Sequence, residues 1–201
     1  MLQAEGIAAF RGERLVLCDL SFVVEAGGAL LLTGANGSGK STLLRVLAGL
    51  ARPAAGRVLW RGQDVGDDLP AHAARTAYVG HQDAVKPGLT AAENLRFTER
   101  VGGGSIPDAL AALGIATLAD LPARMLSAGQ RRRLALARLA LTQAPLWLLD
   151  EPTLGLDSAA VERFGVLVSQ HRARGGIVVV ATHLPLPMVE AAELRLGAGT
   201  A

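Results

Sequence analysis

Residues 34–42, Gly-Ala-Asn-Gly-Ser-Gly-Lys-Ser-Thr, restrict what this chain can fold into more than any other segment. The pattern G-x-x-x-x-G-K-[S/T] has a mechanism. Its glycines let successive backbone N–H groups turn inward around phosphates, and a helix starting behind the loop adds free N–H groups and its positive dipole end. That mechanism demands a strand before the loop and a helix after it. Both are present in the pattern. Ala29–Thr33 is a short, continuous apolar run of the kind buried on both faces. From Lys40 to Leu50, apolar residues recur at 43, 44, 47 and 50, and Gly49 and Pro53 mark the end of that helix. The nine positions Gly34, Ala35, Asn36, Gly37, Ser38, Gly39, Lys40, Ser41 and Thr42 therefore form a candidate phosphate cradle. Lys40 supplies a mobile charge, and Ser41 offers a hydroxyl to Mg²⁺.

The strand–loop–helix theme returns near the other end. Leu146–Leu149 is an apolar strand that ends in Asp150 and Glu151. Ser158–Arg174 carries Val161, Phe164, Val168 and His171 on one helical face and stops at Gly175 and Gly176. Ile177–Ala181 is a strand rich in β-branched residues. Alternating strands and helices predict an α/β fold with a mostly parallel sheet, preceded by an N-terminal β part that includes Leu15–Leu17 and Leu20–Val24. Between about 87 and 144 no strand is legible. Helical periods run over Thr90–Thr98, Pro107–Leu113 and Ala128–Leu141, and Gly102-Gly103-Gly104-Ser105 reads as a flexible connection among them. The expected organisation is one domain over 1–201, its core about 1–86 and 145–201, with an inserted helical subdomain about 87–144.

Composition excludes several partners. The net charge of +2 is too weak to argue for nucleic acid. Mean hydropathy is high at +0.33, yet no run reaches the roughly 18–20 apolar residues of a membrane span. The N-terminus has no basic start followed by an apolar block, so it does not read as a signal peptide. A cytoplasmic chain is expected, with any membrane role reached through a partner. The single cysteine, Cys18, reads as a small core-strand residue. His72, His81, His171 and His183 show no metal-ligand spacing, and His171 reads as an ordinary helix residue.

The apolar strand ending in Asp150 and Glu151 delivers carboxylates to the C-terminal edge of a sheet, where ligands of open α/β sheets bind. Asp150 is placed to hold Mg²⁺, and Glu151 to act as the general base on an attacking water. An apolar strand with a solvated acidic end is the bland alternative. It loses ground because this strand lies 110 residues after Lys40 in the same chain.

Leu126-Ser127-Ala128-Gly129-Gln130 resembles the LSGGQ signature of ATP-binding cassette proteins, with Ala128 replacing the first glycine. Ser127 also reads as a helix N-cap, and the two readings are compatible. The resemblance covers residues 1 to about 190, and it implies further roles. Signature residues Ser127, Ala128, Gly129 and Gln130 would bind the nucleotide held by an opposite subunit. Gln82 would be the Q-loop glutamine, touching Mg²⁺ and the attacking water. Asp157, in Leu154-Gly155-Leu156-Asp157, would reach across the dimer, although the family's commoner lead-in is Ser-Ala-Leu. His183 would sense the γ-phosphate. Phe10, 30 residues before Lys40, would stack on adenine, with a core position as its competing reading. Arg131-Arg132-Arg133 would be the basic turn that commonly follows the signature rather than a nucleic-acid patch.

The segment from Tyr78 to Leu95, with Gln82, Lys86, Pro87, Leu89, Thr90, Glu93 and Asn94, is similar to the ATP-binding subunits of the cytochrome c biogenesis (haem) exporter, as is the short total length. This resemblance implies a homodimer of ATPase subunits, peripheral on the cytoplasmic face of the bacterial inner membrane and joined to a separate multi-span permease. The cofactors would be ATP and Mg²⁺. No haem-attachment motif or ligand pair is present in the sequence, so no direct haem site is expected. Two other readings stay open: a drug or lipoprotein exporter, and a soluble cassette ATPase acting on ribosomes or DNA.

Overall fold

The computed structural model describes residues 1–183 and 190–197. The remainder of the expected core segment, 184–189 and 198–201, lies outside the described residues. Two sheets organise the chain. Strands β1 (Leu2–Arg11), β2 (Arg14–Val24), β4 (Ala55–Trp60) and β5 (Gln63–Asp64) form an antiparallel sheet in the order β2-β1-β4-β5. Strands β3 (Ala29–Thr33), β6 (Thr76–Val79), β7 (Leu146–Asp150), β8 (Ile177–Ala181) and β9 (Ala192–Arg195) form a parallel sheet in the order β6-β7-β8-β3-β9. The helices are α1 (Lys40–Leu47), α2 (Leu69–Ala74), α3 (Ala91–Gly102), α4 (Ile106–Ala112), α5 (Ala128–Leu141) and α6 (Ser158–Ala173).

Strands β7 and β8 are apolar along almost their full length because both faces of the parallel sheet are covered. Successive side chains point to opposite faces. Leu146, Leu148, Ile177 and Val179 enter a core shared with α1 and the antiparallel sheet. Trp147, Leu149, Val178 and Val180 enter a second core, with Leu95 of α3, Leu110 of α4, Leu136 of α5 and Phe164 of α6. The phosphate-loop strand β3 pairs β8 on one side and β9 on the other, so its C-terminal end is fixed beside the ends of β7 and β8. Between residues 87 and 144 there is no strand, only an isolated bridge between Thr90 and Pro122.

Two sequence expectations fail here. Cys18 is exposed rather than part of the core. Ile7 of β1 pairs with Leu20, while Ala9 pairs with Leu17. Two β2 residues, Cys18 and Asp19, thus face one on β1, and Asp19 adopts φ 48°. This bulge turns both side chains outward and breaks the alternation. The Gly102–Ser105 connection is a close crossing rather than a loose tether. A Cβ on Gly102 would overlap the Leu141 carbonyl oxygen of α5 and lie 2.9 Å from Thr142 Cα. Gly103 closes α3 at φ 78°, donating its N–H to Glu99, and Ser105 caps α4 by accepting from the Asp108 N–H.

Candidate functional site

The loop between β3 and α1 is built to receive anions. Gly34 has φ 135°, and a side chain there would run into the Leu196 carbonyl. Gly39 is the N-cap of α1 at φ 100°, and it has no side chain to satisfy the first-turn N–H groups. The other five α-helices among the described residues have a capping side chain: Asp68, Thr90, Ser105, Ser127 and Asp157. Among all of these, α1 is the helix whose start has no side-chain cap at all, so its first-turn N–H groups are open to a ligand's oxygens. Lys40 is buried, and its Nζ donates to the Gly34 carbonyl at 2.7 Å and the Ala35 carbonyl at 3.1 Å. Ser38 Oγ is buried with no partner.

A cleft of about 730 Å³ opens over this loop. Its walls include Asn36, Gly37, Gly39, Lys40, Ser41 and Thr42 from the loop, Asp150 and Glu151 from the end of β7, His183 from beyond β8, and Phe10 from β1. Phe10 is 55% exposed, which decides against a core role for its ring. Asp150 is buried. Glu151 holds one carboxylate oxygen 2.9 Å from His183 Nδ1, while the other, Oε2, is buried without a partner. Its backbone sits at φ 48°, uncommon for a side-chain-bearing residue.

The cleft fits a nucleotide with a divalent cation. It offers a hydroxyl (Ser41), a buried carboxylate (Asp150), orphaned polar atoms and an uncapped helix start. Among the described residues no cluster of three or more His, Cys, Asp or Glu could hold a metal by itself. A cation here would draw the rest of its oxygen ligands from phosphate and water, as Mg²⁺ does.

Other expected site residues lie outside this cleft. Gln82 is exposed and not among the lining residues, although its neighbour His81 is. Ser127 and Ala128 are exposed at the start of α5, and none of residues 127–130 lines the cleft. Ser127 and Gln130 form a reciprocal capping box: Ser127 Oγ accepts from the Gln130 N–H, and Gln130 Oε1 accepts from the Ser127 N–H at 2.8 Å. Gly129 packs close to the Gly155 carbonyl, so a Cβ there would approach it to 2.9 Å. Asp157 caps α6, accepting from the Ala160 N–H at 2.8 Å.

Several residues near the site were not singled out from sequence. Arg11 and Arg45 line the cleft. Arg132, read as part of a basic turn, is buried and donates to Gly80, Asp83, Asp150, Glu151 and Pro152. The signal for it was available. Arg132 shares a helical face with Leu136 and Leu139, at i, i+4 and i+7, where an apolar residue is the usual occupant. Arg138 donates to the Asp83 and Ala84 carbonyls, and burial holds its pKa below the usual arginine value. His171 is buried and stacked on Trp147 with ring centroids 3.8 Å apart; burial pushes its pKa down to about 4.

The chain resembles known proteins at two levels. The ABC transporter family profile matches residues 17–154. The cytochrome c biogenesis ATP-binding export protein CcmA of Gluconobacter oxydans is 53% identical over 188 residues, covering 94% of this chain and 83% of that protein. Its counterpart in Escherichia coli K12 is 45% identical over 197 residues, covering 98% and 95%. Among solved structures, the dimeric structure of a bacterial ABC transporter cassette superposes with a TM-score of 0.84 at 25% identity, covering 99% of this chain and 95% of that one. No described helix is long and apolar enough to cross a membrane.

Proposed function

Because the chain belongs to the ABC transporter family and, within it, to the cytochrome c biogenesis ATP-binding export proteins, we propose that it is the ATP-hydrolysing subunit of an exporter serving c-type cytochrome assembly, and that its working form is a dimer sharing two nucleotide sites. The observation that carries the shared site is a separation. The cleft gathers Lys40, Ser41, Asp150, Glu151 and His183, but none of residues 127–130. A capped, exposed helix start at Ser127 has its remaining N–H groups free for a second molecule's nucleotide. Two copies related by a two-fold axis would complete two such sites.

In this reading the adenine stacks on Phe10, which is exposed beside the loop. The phosphates lie on the loop's N–H groups and the open start of α1. Lys40 exchanges its two carbonyl acceptors for phosphate oxygens, a charge-assisted gain. Ser41 and Asp150 in the cleft, with Gln82 brought in from its exposed loop, would hold Mg²⁺, which would supply positive charge to offset that of the phosphates. Glu151 takes the proton of the attacking water as its oxygen bonds to the γ-phosphorus and the bond to the β–γ bridging oxygen breaks. His183, 2.9 Å from Glu151, orients that carboxylate and reports the γ-phosphate. Ser127, Ala128, Gly129, Gln130 and Asp157 act from the opposite copy.

A multi-span permease would dock beside the Gln82 loop, leaving this subunit peripheral on the cytoplasmic face of the bacterial inner membrane, with no nucleic-acid partner and no haem site of its own. The Glu151→Gln variant tests the core of the proposal. It should bind ATP, dimerise and stop turning over; turnover at the wild-type rate would remove Glu151 as the base.

A further inference from the structure

The guanidinium of Arg132 has five N–H donors, and five acceptors meet it. Nε donates to the Pro152 carbonyl at 3.1 Å. Nη1 donates to the Gly80 carbonyl at 3.0 Å and to Asp83 Oδ1 at 2.9 Å. Nη2 donates to the Asp150 carbonyl at 2.7 Å and to the Glu151 carbonyl at 2.8 Å. The side chain is 6% exposed, and among the described residues Asp83 is its only charged partner. We propose that Arg132 is a positioning residue for ATP hydrolysis: it clips the signature helix α5 to the loops after β6 and β7, and thereby holds Glu151 in its working geometry. This rests on the assignment of Glu151 as the base.

Two features separate this arrangement from ordinary helix anchoring. The first is what is being held. Three consecutive carbonyls, Asp150, Glu151 and Pro152, converge on one group, and the chain at their centre is in the left-handed region at φ 48°. A side-chain-bearing residue stays in that region only where its surroundings over-determine it. The Glu151 N–H is fixed by the Ala181 carbonyl at 2.8 Å, and its carbonyl accepts from Arg132 at 2.8 Å and, more weakly, from the Leu154 N–H at 3.2 Å. Removing Arg132 takes away the shorter, charge-assisted bond to that carbonyl and leaves the conformation held there by the longer Leu154 bond alone.

The second feature is what is being joined. Gly80 and Asp83 bracket Gln82, so the same guanidinium tethers the loop carrying Gln82, the loop carrying Glu151 and the helix that begins at Ser127. A movement of α5 is thereby passed to both loops without any contact to nucleotide. Lysine cannot substitute, because three donors on one nitrogen cannot serve five acceptors spread around a planar fork.

The test compares Arg132→Lys, Arg132→Gln and Asp83→Ala with wild type and Glu151→Gln in the assembled transporter, reading kcat, KM for ATP, ATP affinity and thermal midpoint. For Arg132→Lys and Arg132→Gln, kcat should fall about 100-fold, the scale of a misplaced catalytic group, while ATP affinity changes less than about threefold because the phosphate loop is untouched. Lysine should not rescue. Asp83→Ala removes one of the two contacts on the Gln82 side, leaving the Gly80 carbonyl, and should lower kcat about tenfold at unchanged KM. Arg132 variants with wild-type kcat, or Asp83→Ala with wild-type kcat, would overturn the proposal. So would losses of ATP affinity and thermal midpoint in parallel with kcat, which mark a purely structural residue. A Glu151→Gln enzyme that still turns over would instead defeat the base assignment, so the two failures can be told apart.

Discussion

Gly102→Ala distinguishes a packed helix crossing from a flexible connection, because the two predict opposite signs. If residues 102–105 were a loose tether, alanine would reduce the freedom of the unfolded chain and stabilise the protein by about 0.4–1 kcal/mol. In the structure, the added methyl overlaps the Leu141 carbonyl oxygen and lies 2.9 Å from both Leu141 C and Thr142 Cα. The obstacle is backbone, so no rotamer change relieves it. Restoring ordinary contact requires α3 and α5 to part by more than about 1 Å, beyond the gap of roughly 0.5–1 Å that already forfeits a quarter to a half of the dispersion energy across a contact. Leu95 of α3 and Leu134, Leu136 and Leu139 of α5 are buried in that core. Overpacking costs about 1–3 kcal/mol where side chains can yield. Here the upper end applies, offset by about 0.5–1 kcal/mol for replacing a helical glycine. The expected net loss is about 2–2.5 kcal/mol. Gly103→Ala meets nothing closer than Gln143 Nε2 at 3.9 Å and bears only the φ 78° penalty, roughly 1–2 kcal/mol. Urea unfolding followed by tryptophan fluorescence and circular dichroism would read both variants. A Gly102→Ala midpoint equal to or above wild type at unchanged slope would refute the packing argument.

Two other expectations follow from single side chains. His171 is held neutral in the fold, its pKa depressed to about 4 by burial. The unfolded chain therefore takes up more protons as pH falls below about 6.5, and the stability fully present above that pH is lost towards pH 4. The cost is about 2 kcal/mol between pH 7 and pH 5. His72, also depressed by burial, adds in the same direction. His171→Phe keeps a ring on Trp147 but cannot titrate, so urea unfolding at the two pH values should show a clearly smaller difference than wild type; an unchanged difference would refute the assignment. Phe10→Ala should weaken ATP binding about 3–10-fold, the value of one aromatic stacking contact, with no change in thermal midpoint because the ring is half exposed; unchanged affinity by calorimetry would return Phe10 to an ordinary surface role.

Legibility in the sequence followed how local the cause was. Ala29–Thr33 and Ile177–Ala181 were read with the observed ends because both faces of those strands are buried and the apolar run is continuous. Helix α5 announced itself through Ser127 as its N-cap, and the structure adds Gln130 as the reciprocal partner. Strand β9 was not read, since Ala-Glu-Leu-Arg has no β-branched residue and depends on pairing with β3. Cys18 was misplaced because a bulge shifts alternation by one residue with no compositional mark. Gly102 and Gly104 were taken for a tether because the backbone they approach, at Leu141, belongs to another helix. For the site, the phosphate loop 34–42 and the Asp150–Glu151 pair were readable as contiguous motifs, whereas Arg11 and Arg45 carried no such mark. Arg132 was not readable in that way, because its acceptors lie 18, 19, 20, 49 and 52 residues away in the chain.

The central claim is that one nucleotide site needs two copies of this chain, and subunit mixing tests it most directly. Lys40→Met disables the phosphate loop and Ser127→Arg blocks the signature, so each variant alone should be inactive. In an equimolar mixture half of the random dimers carry one of each, with one intact site of two, so ATPase activity should recover to about a quarter of wild type. A mixture no more active than the two variants measured separately would contradict the shared site.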